Sequence, residues 1–338
     1  MAIPLYQEDG STYRADTCGP VRTAVAAGRL EHQALVRGQY PGQRLPRGVL
    51  PGVKTVGWWD AGEPQVWGLD WHRNEGIELT WLERGGIGFA VDRTACRLRP
   101  DDLTITRPWQ LHRVGDPHVG AGRLHWLILD VGVRRPHQPW RWPPWVVLTR
   151  PDLHELTNCL RLNEQPVWHA TPEVGHCFQR IATAVDADRE GSSGSLLAAL
   201  LNELLVLVLD MFRHRRVTLD ESLASSQRTV ELFWADVREH QEHLASEWTV
   251  GLMARRCGLG VTQFIYLTKR LFNMTPVQYL SVCRLEAAQA MLRSQPAVSV
   301  GAVAAACGFA SSRYFATLFG RHFHCTPSAL RDGASEDA

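Results

Sequence analysis

Two stretches in the last third of the chain are imperfect copies of each other, 257–276 (CGLGVTQFIYLTKRLFNMTP) and 307–327 (CGFASSRYFATLFGRHFHCTP). Each opens on Cys-Gly with an apolar residue next, Leu259 or Phe309, runs through a helical pattern and closes on Thr-Pro. A short helical stretch precedes each copy, LMARRC at 252–257 and VAAAC at 303–307. Glycine permits the sharp bend that a side chain resists, so the pattern reads as helix, tight turn and second helix, twice over. The C-terminal third must therefore fold as two related helical units, and the rest of the chain has to be read around them.

In the second copy Gly308 makes the turn, and Ser311 and Ser312 can cap the next helix through their hydroxyls. Tyr314, Phe315, Leu318, Phe319 and Phe323 fall at helical spacing and are expected to form its buried stripe. That leaves Ser312, Arg313, Ala316, Thr317 and Gly320 facing outward. The first turns of the second helix in such a unit are the part that reaches base edges in a major groove. Arg313 can fork onto a guanine, a contact that discriminates by about 1–3 kcal/mol. In the first copy Phe264 and Leu267 are expected in the core, with Val261, Thr262, Gln263, Ile265, Tyr266 and Lys269 outside. Gln263 suits adenine, and Thr262 suits a thymine methyl or a phosphate. Lys269, Arg270 and Arg321 lie further along their helices, where phosphate contact is expected. The helix between the copies, 277–293, is a rigid spacer, and successive major grooves on one face of a duplex are about 34 Å apart. Double-stranded DNA is the expected partner.

Charge agrees with this. Between Arg228 and Arg331 there are eleven Lys and Arg against six Asp and Glu, within a chain whose formal net charge is only +1. The eight cysteines have no metal-type or disulfide-type spacing, which suits reduced thiols and an expected cytoplasmic location. His322, His324 and Cys325 crowd one helix end, but the other copy has no equivalent, so no metal is expected there. The first ten residues carry Glu8 and Asp9 and lack the apolar core of a secretory signal. The most apolar run, 196–212, is interrupted by Asn202, Glu203 and Asp210, which argues against a membrane span.

Residues 1–150 are rich in Gly, Pro and Trp, with short strand-like runs at 77–82, 88–91, 103–106 and 124–131 between turn signals. This is expected to be an all-β barrel or sandwich. Residues 151–214 read as three helices, 152–163, 172–188 and 195–214. Leu197, Leu201, Leu204 and Val208 form one apolar seam on the third, which either packs on the barrel or pairs with a second copy in a homodimer. The polar, serine-rich stretch 215–227 reads as a linker. Residues 228–332 are expected to be all-α.

From about Thr229 to Arg331 the chain resembles the DNA-binding domain of AraC/XylS-type transcriptional regulators. The matching residues include Gly258, Phe264, Lys269, Thr275-Pro276, Tyr279, Arg284-Leu285, Ala288, Leu292, Val303-Ala304, Cys307-Gly308-Phe309, Tyr314-Phe315, Phe319, Thr326-Pro327 and Arg331. The departures fall at helix ends and outward positions. Asn273 and His324 stand where the family has Gly before the Thr-Pro or Ser-Pro pair, and both tolerate a left-handed backbone. Gly260 and Ala310 replace a capping Ser, and Tyr266 and Thr317 stand where Arg is common.

Residues 71–131 resemble the cupin-like effector barrel of the same regulators, through Glu78–Trp81, Gly85-Gly86, 99–102, Pro108 and His112. Cupins that hold a metal place two His one residue apart, then a Glu and a distant His; here the set is His72, Asn74, Glu78 and His112. Asn is a feeble ligand for a transition metal, so neither a metal nor any other cofactor is expected. The resemblance implies a small-molecule site near His72, Asn74, Glu78, Trp81, Trp109, His112 and His125. Indoles beside hydrogen-bonding groups suit a sugar. The implied protein is a ligand-responsive, dimeric regulator and not an enzyme, with RNA polymerase as a further partner if it activates. The alternatives are a metal-dependent cupin enzyme joined to a DNA reader, and a regulator that needs no ligand.

Overall fold

The structure, a computed structural model, describes residues 18–333 apart from 39, 92–93, 136, 216, 240 and 296. The stretch carrying Glu8 and Asp9 lies outside the described residues. The chain divides into two compact units, with the division between Ser225 and Ser226.

The first unit opens with helix α1 (Gly19–Ala26), followed by strands β1 (Glu31–Val36), β2 (Gln43–Arg44), β3 (Val53–Ala61), β4 (Ile77–Gly85), β5 (Ile87–Val91), β6 (Thr94–Leu98), β7 (Asp102–Thr106), β8 (His112–Val114) and β9 (Gly122–Leu129). Helix α2 (Arg150–Leu162), strand β10 (Val167–His169), α3 (Pro172–Ala187) and α4 (Gly194–Arg213) complete it. The strands form a seven-stranded sheet in the order β10-β7-β4-β9-β3-β1-β2 and a three-stranded sheet, β6-β5-β8. The fold is mostly β here, but the expected barrel does not close. The chain changes sheets between β4 and β5 at Gly85-Gly86, and among the described residues one isolated bridge, His72 with His112, ties the segment before β4 to the small sheet.

Period-2 alternation assigns the faces of the large sheet. Register aligns Trp59 with Leu124 and Leu124 with Leu82, and these three pack on Ile87, Phe89, Leu98 and Val114 of the small sheet and its surroundings. The opposite face, with Ile77, Leu79, Trp81 and Leu127, packs on α3 and α4. Thr149 caps α2 by accepting from the Asp152 N–H, and Pro172 opens α3 at a position where a missing N–H costs nothing. By length and composition α4 could cross a membrane, yet Leu197, Leu201, Leu204 and Val208 are fully buried in the unit's own core. The apolar seam is thus an intramolecular contact. Within 215–227 a 3-10 turn, Glu221–Ala224, buries Leu223, while the Asp220 N–H donates to the carbonyl of Leu162 at the end of α2.

The second unit is all-α: α5 (Ser226–Glu239), α6 (Gln241–Ala245), α7 (Val250–Arg256), α8 (Val261–Phe272), α9 (Pro276–Ser294), α10 (Val300–Ala306), α11 (Ser312–Phe323) and α12 (Pro327–Gly333). It holds two cores. Phe233, Trp234, Phe264 and Leu280 belong to the first, and Leu285, Leu292, Phe315 and Phe319 to the second. Helix α9 contributes to both.

Candidate functional site

The two sequence copies become two helix-turn-helix units with matching backbone hydrogen bonds. In the first turn the Gly258 N–H donates to Arg255 and the Leu259 N–H to Ala254; in the second the Gly308 N–H donates to Ala305 and the Phe309 N–H to Ala304. Gly258 and Gly308 have φ of 64° and 80°, the left-handed region that ends a helix. At the far ends Asn273 and His324 occupy the same region, with φ of 55° and 58°. Here the sequence substitutes one tolerated residue for another and the helix stop is retained.

The second helices of the two units differ at their starts. Ser311 caps α11, its hydroxyl accepting from the Tyr314 N–H at 3.3 Å, whereas Gly260 begins α8 without a side-chain cap. Thr262, Gln263, Tyr266, Lys269 and Arg270 on α8 are all exposed, as are Ser311, Ser312, Arg313, Thr317 and Arg321 at the start and along α11. Phe264 on α8 and Phe315 and Phe319 on α11 are fully buried beneath them. Among the described residues Lys269, Arg270, Arg313 and Arg321 form no ion pair, so their charges stand uncompensated at the surface. One expectation is corrected. Tyr314 is 58% exposed and not part of the buried stripe. It precedes Phe315 by one residue, about 100° around the helix, and the i, i+4 pair Phe315 and Phe319 takes the core.

In the first unit a cavity of about 550 Å³, its open mouth included, lies between the two sheets. His72, Asn74 and Glu78 border it, with Trp59, Leu124, Trp126 and Ile128 forming apolar walls. His112 joins the cluster from β8: its Nε2 is 2.7 Å from Glu78 Oε2, and its Nδ1 is 2.9 Å from the carbonyl of Gln110. Both contacts are satisfied by a protonated imidazole donating from each nitrogen. Asn74 donates to Glu78 Oε2 at 2.8 Å, and Thr80 donates to Oε1 at 3.2 Å. Burial works to raise the Glu78 pKa, but the charge and hydrogen bond of His112, with His72 and Asn74 behind them, hold it down to about 2. The possible ligand atoms of His72, Glu78 and His112 lie within 4.8 Å of one another, near enough to share a cation. Glu78 is nevertheless already engaged by three donors.

Trp81, Trp109 and His125 do not border this cavity. Trp81 pairs with His125 across β4 and β9, and both lie on the helix-facing side. Trp81 stacks on Phe178 at 6.0 Å and approaches α3 so closely that a Cβ on Gly175 would fall 2.8 Å from its ring. His125 pairs instead with Glu83, Nε2 to Oε2 at 2.7 Å. Trp109 is buried in the loop before β8, where its indole N–H donates to the carbonyl of Val133 and its backbone N–H to the carbonyl of Asn74. It supports the cavity's polar end without facing it.

Polar cavity residues not singled out from the sequence include His32, Tyr40 and Thr55. Tyr40 donates to Asn74 Oδ1 at 3.2 Å, and Thr55 accepts from the Trp126 indole at 3.1 Å. His32 packs its ring on Trp126, centroids 5.5 Å apart, and its Nε2 is buried without a hydrogen-bond partner. Burial lowers the His32 pKa against a smaller opposing pull from its own backbone. The available signal was alternation along β3, where Thr55, Gly57 and Trp59 share a face.

Comparison with known proteins bears on the second unit. A helix-turn-helix domain family matches residues 253–333. The HTH-type transcriptional activator RhaS of Escherichia coli O1:K1 / APEC is 32% identical over 166 residues, 49% of this chain and 57% of RhaS. The chain spans about half the length of the curated relatives it matches. Among solved structures, the DNA-binding domain of AdpA in complex with a target DNA is 28% identical, covering 31% of this chain and 91% of that one with a TM-score of 0.29. A regulator from Chromobacterium violaceum, described as having an AraC-type DNA-binding domain, is 25% identical over 32% of this chain and 91% of that one, with a TM-score of 0.27. Residues 253–333 thus match a helix-turn-helix domain family, and the chain is similar over about half its length to an HTH-type transcriptional activator.

Proposed function

We propose that the chain is a cytoplasmic, homodimeric transcription regulator that reads double-stranded DNA with α8 and α11 and responds to a small molecule held in the N-terminal cavity. One observation carries the DNA reading: both helices present exposed polar and uncompensated basic side chains over a buried aromatic base, joined by the 19-residue α9. At 1.5 Å per residue that spacer is about 28 Å long, a fit to reading helices in neighbouring grooves. Dimerisation would use the outward side of α4, where Leu196 and Val206 are 53% and 50% exposed. An effector that binds one arrangement of the dimer better than another would shift which half-sites can be occupied together. The domains proposed are an effector domain to residue 150, helices to 214, a linker at 215–227 and the reader at 228–332. A sugar is one effector class that Trp59 and Trp126 would admit.

Selection of bound sequences from a random duplex library, followed by titration at 150 mM salt, tests this reading. Enrichment of a bipartite site with half-sites one helical turn apart is expected. Binding that never exceeds affinity for random DNA would sink it. A second reading, a metal-dependent cupin enzyme joined to a DNA reader, is favoured only by the His72–Glu78–His112 cluster. It requires stoichiometric metal in the purified protein and turnover lost in His112→Ala.

A further inference from the structure

Helices α8 and α11 are each 12 residues long and lie between corresponding caps, Gly260 and Asn273 on α8, Ser311 and His324 on α11. They can therefore be compared position by position. Both bury a phenylalanine, Phe264 or Phe315, and both expose an arginine near the end, Arg270 or Arg321. The outward face between differs in chemistry. Where α8 has Val261, Ile265 and Tyr266, α11 has Ser312, Ala316 and Thr317, and where α8 has Thr262, α11 has Arg313.

Val261 is 46% exposed and Tyr266 59%. A single apolar side chain at a surface is ordinary. These two are not scattered, however: Val261 is the first residue of α8, Tyr266 stands one turn beyond the exposed Thr262, and Gln263, also exposed, falls between them in sequence. The helix has no Asp or Glu, and Lys269 and Arg270 add exposed positive charge in its last turn. An apolar patch edged with uncompensated cations suits a polyanion that itself carries apolar groups. Duplex DNA presents such groups in its major groove as the C5 methyls of thymine, beside the N6/N7 edge of the paired adenine, which suits a glutamine.

We propose that α8 recognises thymines by their methyl groups, through Val261 and Tyr266, with Gln263 on a paired adenine, so that its half-site consists of A·T pairs and is unlike the half-site of α11. This rests on the reading of α8 and α11 as helices that enter DNA grooves. Contact with the methyls removes from water apolar surface that is exposed in the free protein. On α11 the same positions carry Ser312, Ala316 and Thr317, whose hydroxyl donates to the carbonyl of Arg313 at 3.0 Å, and Arg313 itself suits guanine. The exposed ring of α11, Tyr314, occupies the position of Gln263, at a different angle on the helix from Tyr266. Two unlike half-sites give the duplex a direction, and their order sets which way round the domain lies on it.

The test titrates the full chain on a duplex selected from a random library and on copies in which deoxyuridine replaces thymidine in one half-site at a time, a change that removes only the methyl. Replacement in one half-site should lower affinity about fourfold per contacted methyl, the worth of burying one such carbon, and replacement in the other much less. Tyr266→Phe keeps the ring and should keep this loss. A double variant, Val261→Ser with Tyr266→Thr, gives α8 the residues that α11 has at those positions and should abolish it. Unchanged affinity for random duplex serves as the check that the double variant is folded. A loss that persists in the double variant overturns the assignment. So does a Tyr266→Phe protein weakened equally on selected and random duplex, which would make the hydroxyl a phosphate contact. Indifference to deoxyuridine in both half-sites, with the selected duplex still preferred to random, overturns methyl recognition and leaves the DNA reader in place. If no duplex is preferred at all, both fall.

Discussion

Arg284 on α9 stands hard against Gly308: a Cβ added to that glycine would lie 2.8 Å from Nη2 of the arginine and 2.7 Å from the carbonyl oxygen of Leu244. The same guanidinium donates to the carbonyls of Leu244 and Ser246, each at 2.8 Å. One side chain therefore fastens the end of α6 to the turn of the second helix-turn-helix unit. Gly308→Ala adds a clash to a backbone at φ 80°, a conformation that costs about 1–3 kcal/mol for a residue with a side chain. Denaturant unfolding should show at least that loss, with weaker DNA binding. An unchanged midpoint would mean that Arg284 gives way freely.

Arg313→Ala should reduce affinity for a selected site by about 1–3 kcal/mol while affecting random duplex much less, because a base contact discriminates and a phosphate contact does not. Titration over a range of salt concentrations separates the two. Equal losses on both duplexes, with a salt slope smaller by about one, would assign Arg313 to the backbone.

Glu78 gives the first unit an acid-sensitive limb. Its carboxyl is held below its ordinary value of 4.5, so its stabilising contribution is complete above that pH and is lost as pH falls toward 2. Each unit of depression is worth about 1.4 kcal/mol. Melting of the wild type should fall through this window, and Glu78→Gln, which cannot titrate, should flatten the fall while lowering stability at neutral pH. Parallel curves for the two proteins would place the acid transition elsewhere.

Trp81→Ala should destabilise the first unit by about 3–5 kcal/mol, the range for removing a buried aromatic. Urea unfolding measures the loss, since the ring faces α3 and stacks on Phe178. A midpoint equal to that of the wild type would mean that α3 closes over the gap.

The helical unit was legible because its evidence is local. The spacing of Phe264 to Leu267 and of Phe315 to Phe319, with Gly258 and Gly308 at the turns, lies within a few residues of itself. Tyr314 misled because an aromatic beside a phenylalanine stripe looks apolar, although its angle on the helix turns it outward. The β unit was harder because its pairings are non-local. β3 meets β1 on one side and β9 on the other, and no short window displays that register. Even so, Glu78 and Trp81 are an odd number of residues apart on one strand, which assigns them to opposite faces. Grouping them in a single site set chemistry above geometry, and the same oversight concealed His32, whose alternation with Ala34 and Val36 on β1 aims it inward with Trp59.

Helix α9 supplies Leu280 and Cys283 to one core and Leu285, Ala288 and Leu292 to the other. Neither half of the reader can melt without stripping a wall from its neighbour. Hydrogen exchange should therefore find the amides of α9 slowest in the domain, with α8 and α11 opening no more readily than the shared beam permits. A lesion buried in either half should then loosen the other as well, through the wall the two cores share.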